Sequence, residues 1–86
     1  MTEYSIEFVE SAAKEFRDLD SDMKHRIGLA IKELCNNPRP IKVCKLKGHD
    51  RLYRIRVGHY RVIYEIDDQS KMVLVTKVRR REKAYQ

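Results

Sequence analysis

Leu52-Tyr-Arg-Ile-Arg-Val-Gly-His-Tyr-Arg-Val-Ile-Tyr-Glu-Ile66 is the stretch that decides how this chain folds. Two runs with a period of 2, 52–57 and 60–66, flank the dipeptide Gly58-His59, and glycine supplies the positive φ that opens a type II′ turn. A two-residue turn fixes the register, setting Val57 opposite Tyr60, Arg56 opposite Arg61 and Arg54 opposite Ile63. Arg54, Arg56 and Arg61 then project from one face. The reverse face carries Tyr53, Ile55, Val57, Tyr60, Val62, Tyr64 and Ile66, an apolar set suited to packing beneath helices.

The same period extends to either side. Met72 to Arg79 reads as a further strand whose core set is Met72, Leu74 and Val78, so a five-residue loop from Asp67 to Lys71 is predicted to pair Ile66 with Met72. Lys77, Arg79 and Arg81 then join the arginine face. Val43 to Leu46 reads as a strand before the hairpin and brings Lys45 and Lys47 close by. Upstream, Asn36-Asn37-Pro38-Arg39-Pro40 stops a helix, because proline lacks a donor and restricts the residue before it. That helix starts at a cap on Asp20 or Ser21 and buries the stripe Met23, Ile27, Ala30, Ile31, Leu34 and Cys35; Gly28 within it points to close approach by a neighbour. A shorter helix from a Ser11 cap carries Ala12, Ala13, Phe16 and Leu19, and Tyr4 to Val9 alternates as an opening strand. The order is N-terminal strand, two-helix hairpin, then antiparallel strand meander, a two-layer α+β fold read as a single domain over 1–86.

A chain of 86 residues has room for one modest core, and with 37% charged residues the surface is heavily ionised. The charge is unevenly placed. Residues 1–41 hold six basic and eight acidic side chains, whereas 42–86 hold thirteen basic and five acidic. A polyanion would meet the second half, since basic clusters gain free energy by releasing phosphate counterions. Cys35 and Cys44 lack metal-ligand spacing and read as free thiols. With no secretory leader and no apolar run near the roughly 20 residues of a membrane span, a cytoplasmic location without membrane contact is expected.

An antiparallel sheet covered on one side shows its other side to water, so a solvated surface is the plain alternative for the arginine face. Against it, Glu65 is the only carboxylate in the face set, and like charges opposed across strands repel unless an anion lies over them.

The run KLKGHDRLYRIRVGHYRVIYEID from Lys45 to Asp67, with VRRREKAY from Val78 to Tyr85, resembles the RelE branch of the RelE/ParE toxins. The preceding strand and helix pair match in order and length. The resemblance implies an mRNA endoribonuclease that works in the ribosomal A site beside 16S rRNA, without metal or cofactor, and is held inactive by a cognate antitoxin protein. It implies attack of a ribose 2′-hydroxyl on the adjacent phosphate, which needs proton removal, stabilisation of a dianionic phosphorane and a proton for the departing 5′-oxygen. Arg61 matches the family's phosphate-stabilising arginine. Arg81, flanked by Arg79 and Arg80, matches the arginine that serves the leaving group, and Arg80 stands where many relatives carry histidine. Tyr85 matches the C-terminal tyrosine that orients the 2′-hydroxyl or stacks on a base.

Arg54 and Arg56 occupy positions where well-known members have lysine, a departure with chemical content: arginine binds phosphate but does not give up its proton. The base is left among Lys45, Lys47, His49, Glu65 and Tyr85, or replaced by charge stabilisation with ribosomal RNA positioning the substrate. His49 and His59 also have simple readings as loop and turn residues. Lys45, Lys47, Lys77, Arg79 and Arg80 are expected to bind RNA or phosphate. A ParE-like gyrase inhibitor and a non-catalytic RNA-binding module are the competing readings.

Overall fold

In the computed structural model, residues 3–40, 43–45 and 52–80 are described. β1 (Ser5–Phe8) runs straight into α1 (Glu10–Arg17), followed by α2 (Ser21–Glu33), β2 (Cys44–Lys45), β3 (Leu52–Val57), β4 (Tyr60–Asp67) and β5 (Met72–Arg80). The expected Ser11 cap is not used. Val9 stands at the cap because its amide still belongs to the sheet, donating to Val75 O at 3.0 Å, while its carbonyl accepts from Ala13 N at 2.9 Å. Asp20 does cap α2, its carboxylate accepting from Met23 N at 2.8 Å. The last amides of that helix shift to i→i−3 partners, Leu34 N to Ile31 O and Cys35 N to Lys32 O, so regular α-helix stops at Glu33 although the apolar stripe continues.

Among the described residues five strands form one sheet in the order β1-β5-β4-β3-β2. β1 pairs parallel to β5, and the other pairs are antiparallel. One face receives both helices: Ala12, Ile27, Ile31 and Leu34 bury against Ile55, Val62, Tyr64, Ile66, Val73, Val75 and Val78. At this apolar transfer scale each fully buried side chain contributes roughly 1.5–3 kcal/mol. Phe16 of α1 lies over Gly28 of α2, where a Cβ would sit 3.5 Å from its ring. Cys35 is a free thiol, its sulfur 3.5 Å from Glu3 Oε2, and burial pushes its pKa up.

The β3–β4 hairpin has the expected register throughout, Val57 with Tyr60, Arg56 with Arg61 and Arg54 with Ile63. Gly58 adopts φ +59, and a Cβ there would lie 3.4 Å from the Arg26 guanidinium. Gly58→Ala is therefore expected to cost about 1–2 kcal/mol, mostly from the left-handed backbone, as read by a drop in Tm with the fold retained.

The β4–β5 turn differs from expectation. Ile66 faces Val73 and Asp67 faces Met72, so Val73 and Val75 are buried while Met72 and Leu74 fall on the opposite face. The turn is tightened by Asp67, whose Oδ1 accepts from Gln69 N at 3.0 Å and Ser70 N at 3.2 Å. A bulge then resets the strand: Tyr64 pairs with Val75 but Ile63 with Lys77, and the extra residue, Thr76, bonds its hydroxyl to Ile63 O at 3.1 Å. Beyond it Val78 returns to the core, and Lys77 and Arg79 keep the face expected for them.

Candidate nucleic-acid interface

On the face turned away from α1 and α2 the hairpin and β5 set Arg56, Arg61 and Arg79 in direct register across three strands. The next row is Arg54, Ile63 and Lys77, and the one beyond it Leu52, Glu65 and Leu74. The positive charge is thus concentrated at the Gly58 end. Arg56 and Lys77 are exposed and Arg54 and Arg79 half-exposed, but Arg61 is only 3% exposed. A guanidinium cannot shed its proton to relieve burial, so the centre of the row carries a fixed charge where screening is weakest.

The two outer basic positions turn away. Lys45 faces Tyr53 on β3, one position out of phase with Cys44 and Arg54, and so belongs to the opposite side from Arg54. Arg80 faces Tyr60 and, with Arg79, lines a cleft of about 350 Å³ against Glu15, Asp18 and Leu19 at the α1 end. Glu15 was not foreseen as part of the array. Its carboxylate accepts from Val78 N at 2.9 Å and Arg79 Nε at 2.8 Å. Its spacing, three residues after buried Ala12 and one before Phe16, was the available signal that it flanks the packed side of α1.

A family model for the ParE toxin of type II toxin–antitoxin systems (parDE) matches residues 6–85. The chain belongs to that toxin family. Its relatives place it on the RelE side of the RelE/ParE superfamily. The mRNA interferase toxin RelE of Escherichia coli is 32% identical over 83 residues, covering 94% of this chain and 86% of its own length. The crystal structure of isolated E. coli RelE matches with TM-score 0.81 and 30% identity over 90% of this chain and 83% of that one. The archaeal RelE–RelB complex from Pyrococcus horikoshii matches with TM-score 0.81 and 30% identity over 94% and 97%.

For this RelE-type chain, Lys47, His49, Arg81 and Tyr85 lie outside the described residues. Among the remaining candidates for a base, Glu65 stands four residues along β4 from Arg61, roughly 13 Å at strand rise, too far to share one phosphate. No described helix is long and apolar enough to cross a membrane.

The most perturbed titrating groups gather at the opposite end of the toxin fold. Arg39 holds Asp68 with two bonds, 3.2 Å to Oδ1 and 2.9 Å to Oδ2, and Tyr4 OH donates to Oδ1 at 2.6 Å. Arg39 also reaches Tyr53 OH at 3.3 Å, and Tyr53 stacks on Tyr64, whose buried hydroxyl donates to Pro38 O at 2.8 Å. Burial pushes the Tyr64 pKa up, and the bond to Asp68 raises that of Tyr4. Arg39, then Tyr4, draw Asp68 down from 3.8 to about 2. Because its folded pKa is depressed, Asp68 stabilises the fold above its unfolded pKa, and this contribution fades as pH falls from about 4 to 2. Asp68→Asn is expected to flatten that part of the acid limb in pH-dependent thermal unfolding. The cluster ties the α2–β2 connection to the β4–β5 turn, away from the arginine row.

Proposed function

We propose that the protein is the toxin of a type II toxin–antitoxin pair, a cytoplasmic endoribonuclease that cuts messenger RNA in the ribosomal A site. The observation that carries this reading is the row Arg56, Arg61, Arg79, with a buried arginine at its centre and like charges on either side. Such a row is stabilised by a polyanion laid across it. The RelE relatives named mRNA interferases supply the reaction class.

In that reaction the 2′-oxygen attacks the adjacent phosphorus as its proton leaves, and the P–O5′ bond breaks. A 2′,3′-cyclic phosphate and a 5′-hydroxyl result. Arg61 stabilises the phosphorane, its forked donors matching oxygens that gain charge in the transition state. Arg54 and Arg56 neutralise the phosphate from β3 but accept no proton. Arg81 stabilises the charge that builds on the departing 5′-oxygen, which takes its proton from solvent, and Tyr85 orients the 2′-hydroxyl or stacks on its base. Lys77 and Arg79 on the same face engage flanking RNA, including 16S rRNA, and Lys45, Lys47 and Arg80 add charge for phosphates farther along it. With arginine at both β3 positions, removal of the 2′ proton relies on residues outside this row and on alignment of the messenger by the ribosome.

RelE proteins of P. horikoshii and E. coli form complexes with RelB antitoxins. A cognate antitoxin rich in carboxylates would cover the arginine face here and exclude messenger by occupying the same charges. Toe-printing with active ribosomes tests the reading. Cleavage within codons that disappears when ribosomes are omitted is the expected result. Intact messenger, with stabilised gyrase–DNA cleavage complexes in a supercoiling assay, would instead establish the gyrase inhibitor; salt-sensitive RNA binding without product would establish the non-catalytic module.

A further inference from the structure

β1 ends at Phe8 opposite Val75, and the Val9 amide closes that ladder on Val75 O. Past this point β5 has no described strand on that edge, and the Val78 amide is met by Glu15 Oε1 at 2.9 Å. The other oxygen of the same carboxylate takes Arg79 Nε at 2.8 Å. One side chain thus caps a sheet edge and holds an arginine by the nitrogen nearest its stem. Bonding at Nε fixes the guanidinium plane and leaves its terminal fork available, and the Arg79 side chain is 39% exposed at the rim of the cleft it shares with Glu15, Leu19 and Tyr60.

We propose that Glu15 is a positioning residue that presents Arg79 as a preset clamp for the phosphate neighbouring the one held at Arg61. This rests on the ribonuclease reading above. Arg79 stands directly opposite Arg61, one strand spacing of about 5 Å away, the scale on which phosphates follow one another along an extended strand. Glu15 also offsets the third positive charge of the row, so that Arg79 is held in place before RNA arrives and loses less side-chain entropy on binding. Drawn toward α1, the Arg79 head leads the RNA from Arg61 across the free edge of β5.

The test is steady-state cleavage of messenger on programmed ribosomes by the full chain, with Glu15→Gln, Arg79→Gln and the double variant, over a range of salt and with thermal unfolding alongside. Gln at 15 keeps an acceptor for the Val78 amide, and Gln at 79 leaves that edge cap untouched. Arg79→Gln is expected to raise KM about three- to tenfold with kcat little changed, the mark of lost uniform binding. Glu15→Gln should reproduce this, the double variant should be no worse than Arg79→Gln, and the log–log salt slope should fall by about one in each. Unchanged KM for folded Glu15→Gln, effects that multiply in the double variant, or an unaltered salt slope would overturn the role of Glu15 while leaving the ribonuclease intact. Absence of cleavage by the unsubstituted chain overturns the ribonuclease reading itself, and this role with it.

Discussion

Arg61→Ala is expected to lower the rate of messenger cleavage on programmed ribosomes by about 10²–10³-fold, the usual cost of deleting a preorganised donor to transition-state charge. The size follows from position. Arg61 is the middle member of the row and only 3% exposed, so its charge acts where solvent screens least. Arg56 and Arg54, on the more exposed β3 side, should each cost less. Arg61→Lys keeps the charge but not the fork, and should recover only part of the loss, since a point charge cannot reach two phosphate oxygens at once. Arg61→Met removes the charge and the fork together while keeping a side chain of similar length in the buried position, and should lose cleavage as Arg61→Ala does. Single-turnover cleavage beside urea unfolding separates lost chemistry from lost folding: a folded variant that still cuts at the unsubstituted rate removes Arg61 from the chemistry.

Deletion of Thr76 is expected to close the bulge and keep every face of β5. Without the bulged residue Val75 is followed directly by Lys77, so plain alternation keeps Val73, Val75 and Val78 on the core face and Lys77 and Arg79 on the other, against the same β4 partners. The loss is the hydroxyl bond to Ile63 O and the extra twist of the bulge, about 1–2 kcal/mol against a total stability of about 5–15 kcal/mol. A cooperative urea transition at a moderately lower midpoint is the predicted result. Thr76→Ala, which removes only the hydroxyl bond to Ile63 O, should cost about 1 kcal/mol and leave cooperativity intact. A deletion variant without a cooperative transition would mean that the core depends on the twist set by the bulge.

That bulge also marks where the sequence stopped being legible. The β3–β4 hairpin could be read residue by residue because glycine and histidine at 58–59 leave a single turn geometry, and the arginine face follows from it. For β5 the alternation Met72, Leu74 competes with Val73, Val75, both apolar, and nothing local chooses between them; the choice comes from β4 and from β1 on the other side. Lys77 and Arg79 reached their expected face because the register differed at the turn and the bulge restored it. Glu15 escaped notice because its partners are 63 and 64 residues away, a pairing that no local spacing encodes. Ser11 looked like a cap for a related reason, since the Val9 amide is already committed to Val75.

The parallel pairing of β1 with β5 has a consequence for the order of events during synthesis. Ser5 meets Met72 and Phe8 meets Val75, so the first strand made finds its only described strand partner when the last is produced. At about 5–20 residues per second, β1 waits several seconds with its polar backbone unmatched. The β3–β4 hairpin, closed by a two-residue turn, can form as soon as it emerges and offers β5 a template, whereas the β1 contact is the longest-range closure in the sheet and the slowest to nucleate. The arginine face therefore takes shape late, because its third arginine strand is the last of the described strands to be made.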